Sequence, residues 1–202
     1  MTTDLDRTTL MLDARVTLPL RLDGDPLLRR KAKPIAAVTS ELRLFAEQML
    51  VSMLASNGVG LAAPQVGRSI RMITLNTAMS DRAESGTLSP GEILLVPRMP
   101  LVLVNPELIA FAREMEIGNE GCLSIPKIYA DVARPQRVVL KAATLDGQMF
   151  EVECAGLLGR CVQHEVDHLD GILFVDRLTK AEYQKIAQEV TALEARTCRE
   201  RS

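Results

Sequence analysis

The only two histidines among the 202 residues stand four apart, in His164-Glu165-Val166-Asp167-His168. On a helix, residues i and i+4 lie one turn above each other, about 6 Å apart, so both rings can meet at one metal ion. Glu165, beside the first ring, is the residue such a pattern uses to exchange a proton with water. With so few histidines, an accidental spacing of four with an acid between them is rare. Two structural rings on a helix, satisfied by a cap or a carboxylate, are the plain alternative.

A hydrolytic metal centre takes three protein donors and keeps one position open. No third histidine exists, so the third donor is a cysteine or an acid. Cys161 lies one turn before His164 but about 10 Å along the helix axis from His168, too far to serve both. Cys154 falls on the apolar face of an expected strand, where a free thiol is ordinary filling. Cys198 lies in a charged terminal stretch. Cys122, in Glu120-Gly121-Cys122-Leu123-Ser124-Ile125-Pro126, sits in a segment with no clean helix or strand period. Turn-like backbone there can present a thiolate and an N–H together. Elimination favours Cys122, with Asp131, Asp167 and Asp170 as rivals.

These groups need elements to position them. Residues 156–169 read as the helix that carries both rings, with Gly171 beyond its end. Leu42, Phe45, Ala46, Met49 and Met53 recur at helical period, after a cap at Thr39 or Ser40 and before Asn57-Gly58. Residues 58–65 have little bulk and contain Pro64, which suggests an extended loop or edge segment. Residues 71–76 read as a strand, and 101–104 as a buried strand stopped by Asn105-Pro106. Between them, 77–100 form a polar excursion, with 93–96 as a short strand. Asp146-Gly147 predicts a hairpin between 137–144 and 148–155. Thr179 and Glu182 form a capping box that opens a last helix, with Ile186, Val190 and Leu193 as its buried stripe. The expected class is α+β: mainly antiparallel sheets packed around the central H-E-x-x-H helix, with an N-terminal and a C-terminal helix.

Composition sets outer limits. The chain is 47% hydrophobic and 25% charged, ordinary for a globular protein. Its formal charge of −2 provides no basic field for DNA. Four cysteines are too few for a disulfide scaffold and point to a reducing compartment, the cytoplasm. The polar, acidic start is unlike a signal peptide, and apolar runs such as 101–104 are too short to span a membrane. One catalytic domain over 19–178 is expected, with an arm at 1–18 and a C-terminal helix and tail at 179–202.

Three segments then carry a resemblance: GVGLAAPQ at 58–65, EGCLS at 120–124 and QHEVDHL at 163–169. Together, in this order, they resemble the peptide deformylase family, over roughly 26–178. Residues 77–100 exceed what the family core requires, and 1–18 match nothing in it. The resemblance implies that Cys122, His164 and His168 bind one divalent metal, Fe(II) in the cell, with Zn, Ni or Co able to substitute. Thiolate and imidazole suit such ions. It implies Glu165 as general base and then acid, and Gln65 with the Leu123 backbone N–H as the oxyanion donors. It implies a Glu120–Arg134 ion pair bracing the cysteine turn. The implied substrate is the N-formyl-methionine end of new polypeptides, laid as a strand beside Val59 and Gly60. Its methionine pocket would involve Val59, Leu157 and Cys161, and the products are formate and a free amine.

Several side chains have plainer readings from the sequence alone. Gln65 reads as a surface amide, Asp167 as a surface acid, Glu120 and Arg134 as solvated charges. The mixed charges of the last helix read as a solvated face rather than the ribosome contact made by some family members. Two rival functions remain. A zincin-type metalloprotease also uses H-E-x-x-H but would leave Cys122 idle. A structural metal site would need a fourth protein donor and leave Glu165 without a purpose.

Overall fold

The computed structural model describes residues 16–79 and 88–201. The arm expected over 1–18 lies outside them, apart from its last three residues. Leu18 is anchored, its N–H donating to Ser52 Oγ at 2.8 Å.

Among the described residues, seven strands form two antiparallel sheets. The larger has the order β1-β2-β3-β6-β7, from Gly60–Ala62 (β1), Met72–Leu75 (β2), Leu101–Phe111 (β3), Arg137–Ala143 (β6) and Met149–Ala155 (β7). The smaller is a hairpin of Met115–Cys122 (β4) and Ile125–Pro135 (β5). Four α-helices complete the described chain: Ser40–Ala55 (α1), Pro90–Leu95 (α2), Gly156–Leu169 (α3) and Lys180–Arg201 (α4).

The large sheet is covered on both faces, which is why β2 and residues 102–104 of β3 are buried throughout rather than alternating. Ile73, Leu75 and Leu103 point to one side, where Leu158, Val162 and Leu169 of α3 meet them. Met72, Val102 and Val104 point to the other, where Phe45, Met49 and Met53 of α1 meet them. A third cluster joins Ile125 and Val132 of β5 to Val190 and Leu193 of α4. Thus α3 lies between the large sheet and the hairpin, with ten of its fourteen residues buried.

Three expectations need correction. Residues 93–96 are not a strand. Ser89 caps α2 in a box with Glu92, and Gly91 sits against Cys154 of β7, too close for any Cβ. The described part of the excursion therefore shields a sheet edge, which needs such cover; residues 80–87 lie outside the described residues. The strand expected over 101–104 does not stop at Asn105-Pro106. It runs to Phe111, because the register shifts between Val104 and Glu107 and spares the missing Pro106 N–H. The segment around Cys122, read as turn-like without a strand period, begins as the end of β4; the hairpin register shifts between Gly121 and Cys122, and the turn follows at Leu123 and Ser124.

Candidate metal and active site

The 3.6-residue period of α3 puts His164 and His168 on one face, with ring centroids 4.9 Å apart and the rings inclined at 75°. The β4–β5 turn brings Cys122 to them, its Sγ 3.3 Å from His168 Nε2. One donor atom from each of the three residues lies within 4.8 Å of the other two. They are the one such grouping among the described residues. The rival acids are engaged elsewhere: Asp131 with Asn119, Asp170 with Arg71, and Asp167 with Arg134 and Arg177.

Glu120 fixes the orientation of His164. Its Oε2 accepts from Arg134 Nη2 at 2.9 Å and lies 2.9 Å from His164 Nδ1. Its Oε1 accepts from Arg134 Nε at 2.6 Å and from Arg160 Nη1 at 2.8 Å. Burial opposes the charge of Glu120, but the hydrogen bonds with His164 and Arg134 outweigh it and hold the carboxyl well below the ordinary carboxylate range. With Nδ1 committed to Glu120, Nε2 is the His164 nitrogen left to face the sulfur, as in many metal sites. Arg134 passes the order outward through a 2.8 Å bond to Asp167.

The two rings titrate apart. Burial opposes the charge of His164, yet hydrogen bonds to Cys122 and Glu120 lift it to about 10. Burial, and then the charge of His164, push His168 well below the ordinary histidine value. A sulfur and two ring nitrogens whose donor atoms converge within 4.8 Å make a donor set that fits a soft divalent ion.

Glu165 is 4% exposed. Burial raises its pKa to about 7, against the pull of His164 and Arg134. Its Oε2 has no partner in the protein, so the carboxyl is free to trade a proton inside the cavity. Gly60 makes room for it: a Cβ there would lie 2.3 Å from Glu165 Oε1 and 2.9 Å from Cys161 Sγ. Opposite, Gln65 is buried, contrary to the surface reading. Its Oε1 accepts from the Ala62 N–H at 2.8 Å, which aims Nε2 at Cys122 Sγ (3.4 Å) and Ser124 Oγ (3.2 Å).

A cavity of about 550 Å³ opens beside the three donors. Gln65, Cys122, Leu123, His164 and Glu165 line it, together with Val59, Gly60, Leu157 and Cys161. His168 lies behind Cys122, almost fully buried. Each candidate residue is thus in one place. The Glu120–Arg134 pair is present and buried, as is Asp167, read as a surface acid from the sequence.

Ser124 and Arg160 went unread. Ser124 donates its N–H to Cys122 Sγ at 3.4 Å, and nothing in its residue type marks that. Arg160 stands four residues before His164, and that helical spacing was the available signal.

The profile of the Polypeptide deformylase family matches residues 17–184. "Peptide deformylase 2" of Gloeobacter violaceus is 44% identical over 165 residues, 82% of this chain and 81% of its own. The peptide deformylase of Acinetobacter baumannii is 41% identical over 173 residues, 86% of this chain and 89% of its own. Among solved structures, peptide deformylase 1B of Arabidopsis thaliana, in complex with an inhibitor, superimposes with a TM-score of 0.76 at 34% identity, covering 89% of this chain and 91% of that one. The Met-Ala-Ser-bound class I type b peptide deformylase of Acinetobacter baumannii superimposes with a TM-score of 0.68 at 38% identity, covering 81% of this chain and 99% of that one.

Proposed function

The chain belongs to the polypeptide deformylase family and removes the formyl group from the N-terminus of new polypeptides; on that premise we propose how its own residues do so. The observation that carries the reading is the convergence of Cys122, His164 and His168 within 4.8 Å, with the unpartnered carboxyl oxygen of Glu165 buried beside them.

In this reading Cys122, His164 and His168 hold the divalent ion, Fe(II) in the cell. When bound, the ion supplies Lewis acidity, polarising the formyl carbonyl and acidifying water. Glu165 accepts a proton from the attacking water, and its raised pKa suits both that transfer and the return of the proton to the departing nitrogen. As the carbonyl carbon becomes tetrahedral, the Gln65 amide and the Leu123 N–H receive the oxyanion charge. Gln65 needs no reorientation, because Ala62 already holds its other end. The C–N bond then breaks, giving formate and a free amine.

The nascent chain is placed as an added strand. β1 is an end strand of the large sheet, and it carries Gly60 beside Val59 at the cavity wall. Val59, Leu157 and Cys161 receive the methionine side chain. We take 19–178 as the catalytic unit, place the reaction in the cytoplasm, and read the outward charges of α4 as solvated rather than ribosome-bound.

The test is incubation of the reduced Fe(II)- or Ni(II)-loaded protein with formyl-Met-Ala-Ser. Formate release with an intact tripeptide is expected. Cleavage between the residues would mean a protease, and neither product would mean a structural metal site.

A further inference from the structure

Arg160 enters the site from α3 and leaves it through the hairpin. Besides Glu120 Oε1, its Nη1 donates to the Val132 carbonyl at 3.0 Å and its Nη2 to the Glu116 carbonyl at 3.0 Å. One guanidinium therefore bonds both strands of the hairpin that ends at Cys122. It starts from the helix turn directly before His164, on the same face.

The hairpin is built to admit it. Gly118 pairs with Val132 in the β4–β5 register and stands two residues from Glu116; these two residues own the backbone carbonyls that Arg160 reaches. A Cβ on Gly118 would lie 2.7 Å from Arg160 Cζ and 2.8 Å from its Nε and Nη2. A strand interior gains nothing from glycine on its own account, and this one has an ordinary backbone conformation. Space for the guanidinium is what it provides.

We propose that Arg160, admitted through the gap at Gly118, is a positioning residue that clamps the His164 turn of α3 to the β4–β5 hairpin and so sets the separation between the Cys122 sulfur and the two rings. Two elements far apart in sequence supply the donors. Apolar packing is non-directional, whereas a planar guanidinium bonded to three acceptors on the opposing element fixes the geometry between the two. Arg134 orients Glu120 from one side; Arg160 completes the same carboxylate from the other and adds the direct tie between helix and hairpin. This role rests on the metal triangle of the proposed function, but not on the identity of the substrate.

The test compares Arg160→Met, Arg160→Lys and Gly118→Ala with the unchanged protein, all loaded with Co(II). Three readouts are followed: the visible Co(II) absorption, the rate of Co(II) loss to a chelator, and kcat and KM for formyl-Met-Ala-Ser. Arg160→Met and Gly118→Ala are expected to shift the Co(II) bands, speed ion loss by about 10–100-fold and lower kcat with little change in KM. Arg160→Lys, keeping one charged donor, falls between. Gly118→Ala retains the charge and disturbs only its placement; it and Arg160→Lys decide the matter if Arg160→Met does not fold. Unchanged bands and ion loss in the variants that fold, or a change confined to KM, would overturn the proposal. If the unchanged protein releases no formate while the variants still lose Co(II) faster, the deformylase reading falls and the clamp stands.

Discussion

At the residue scale, neighbours of similar chemistry do different work. Glu165 and Glu120 are both buried carboxyls beside His164, yet burial raises one to about 7 while His164 and Arg134 hold the other far below its ordinary value. Only Glu165 is thereby suited to carry a proton near neutral pH. Glu165→Ala is expected to retain the ion and lose about 10²–10⁴-fold in kcat, checked by metal analysis alongside formate release. Gly60→Ala is expected to impair turnover through the same carboxyl, because its Cβ has nowhere to go but into Glu165 Oε1; ion content should stay unchanged. The meeting of Cys122 with His164 and His168 was legible because spacing and counting constrain it. Asp167 was not: a charged residue inside a helical motif looks solvated until Arg134 and Arg177 are found around it.

At the element scale, the parts readable from sequence are those whose local chemistry and tertiary role agree. α1 has the Thr39 cap and apolar stripe it advertises, and Glu182 donates its N–H to Thr179 Oγ1 as the capping box requires. The β4–β5 hairpin was hidden because its polarity is mixed. Its buried side carries Glu120 and Arg134 beside Ala130 and Val132, while Ile117 on the outer side is 71% exposed, so no clean alternation survives. Burying those charges makes the hairpin dependent on its ion pairs. Arg134→Met strips two bonds from Glu120 and one from Asp167, and is expected to cost about 3–5 kcal/mol, read as a lowered urea midpoint of the metal-loaded protein. Residues 93–96 misled in the opposite sense: their apolar run suits a strand, but the Ser89–Glu92 box decides for a helix.

At the scale of the whole molecule, the ion should join α3 to the hairpin as well as serve chemistry. An ion that binds only the folded chain stabilises it by mass action. Removing it with a chelator is therefore expected to lower the thermal midpoint, and Zn(II) should restore it. Acid should act through Glu120. Its folded pKa lies below the ordinary 4.5, so its contribution is complete above that value and is lost as pH falls from 4.5 toward the depressed value. Glu120→Gln should flatten that part of the stability–pH profile, followed by unfolding at fixed temperature. The most direct test of the central claim is X-ray absorption on protein loaded with one equivalent of Zn(II). The account predicts one sulfur at about 2.3 Å, two imidazole nitrogens at about 2.0–2.1 Å and a light atom from solvent; a shell without sulfur, or one closed by a fourth side chain, would contradict it.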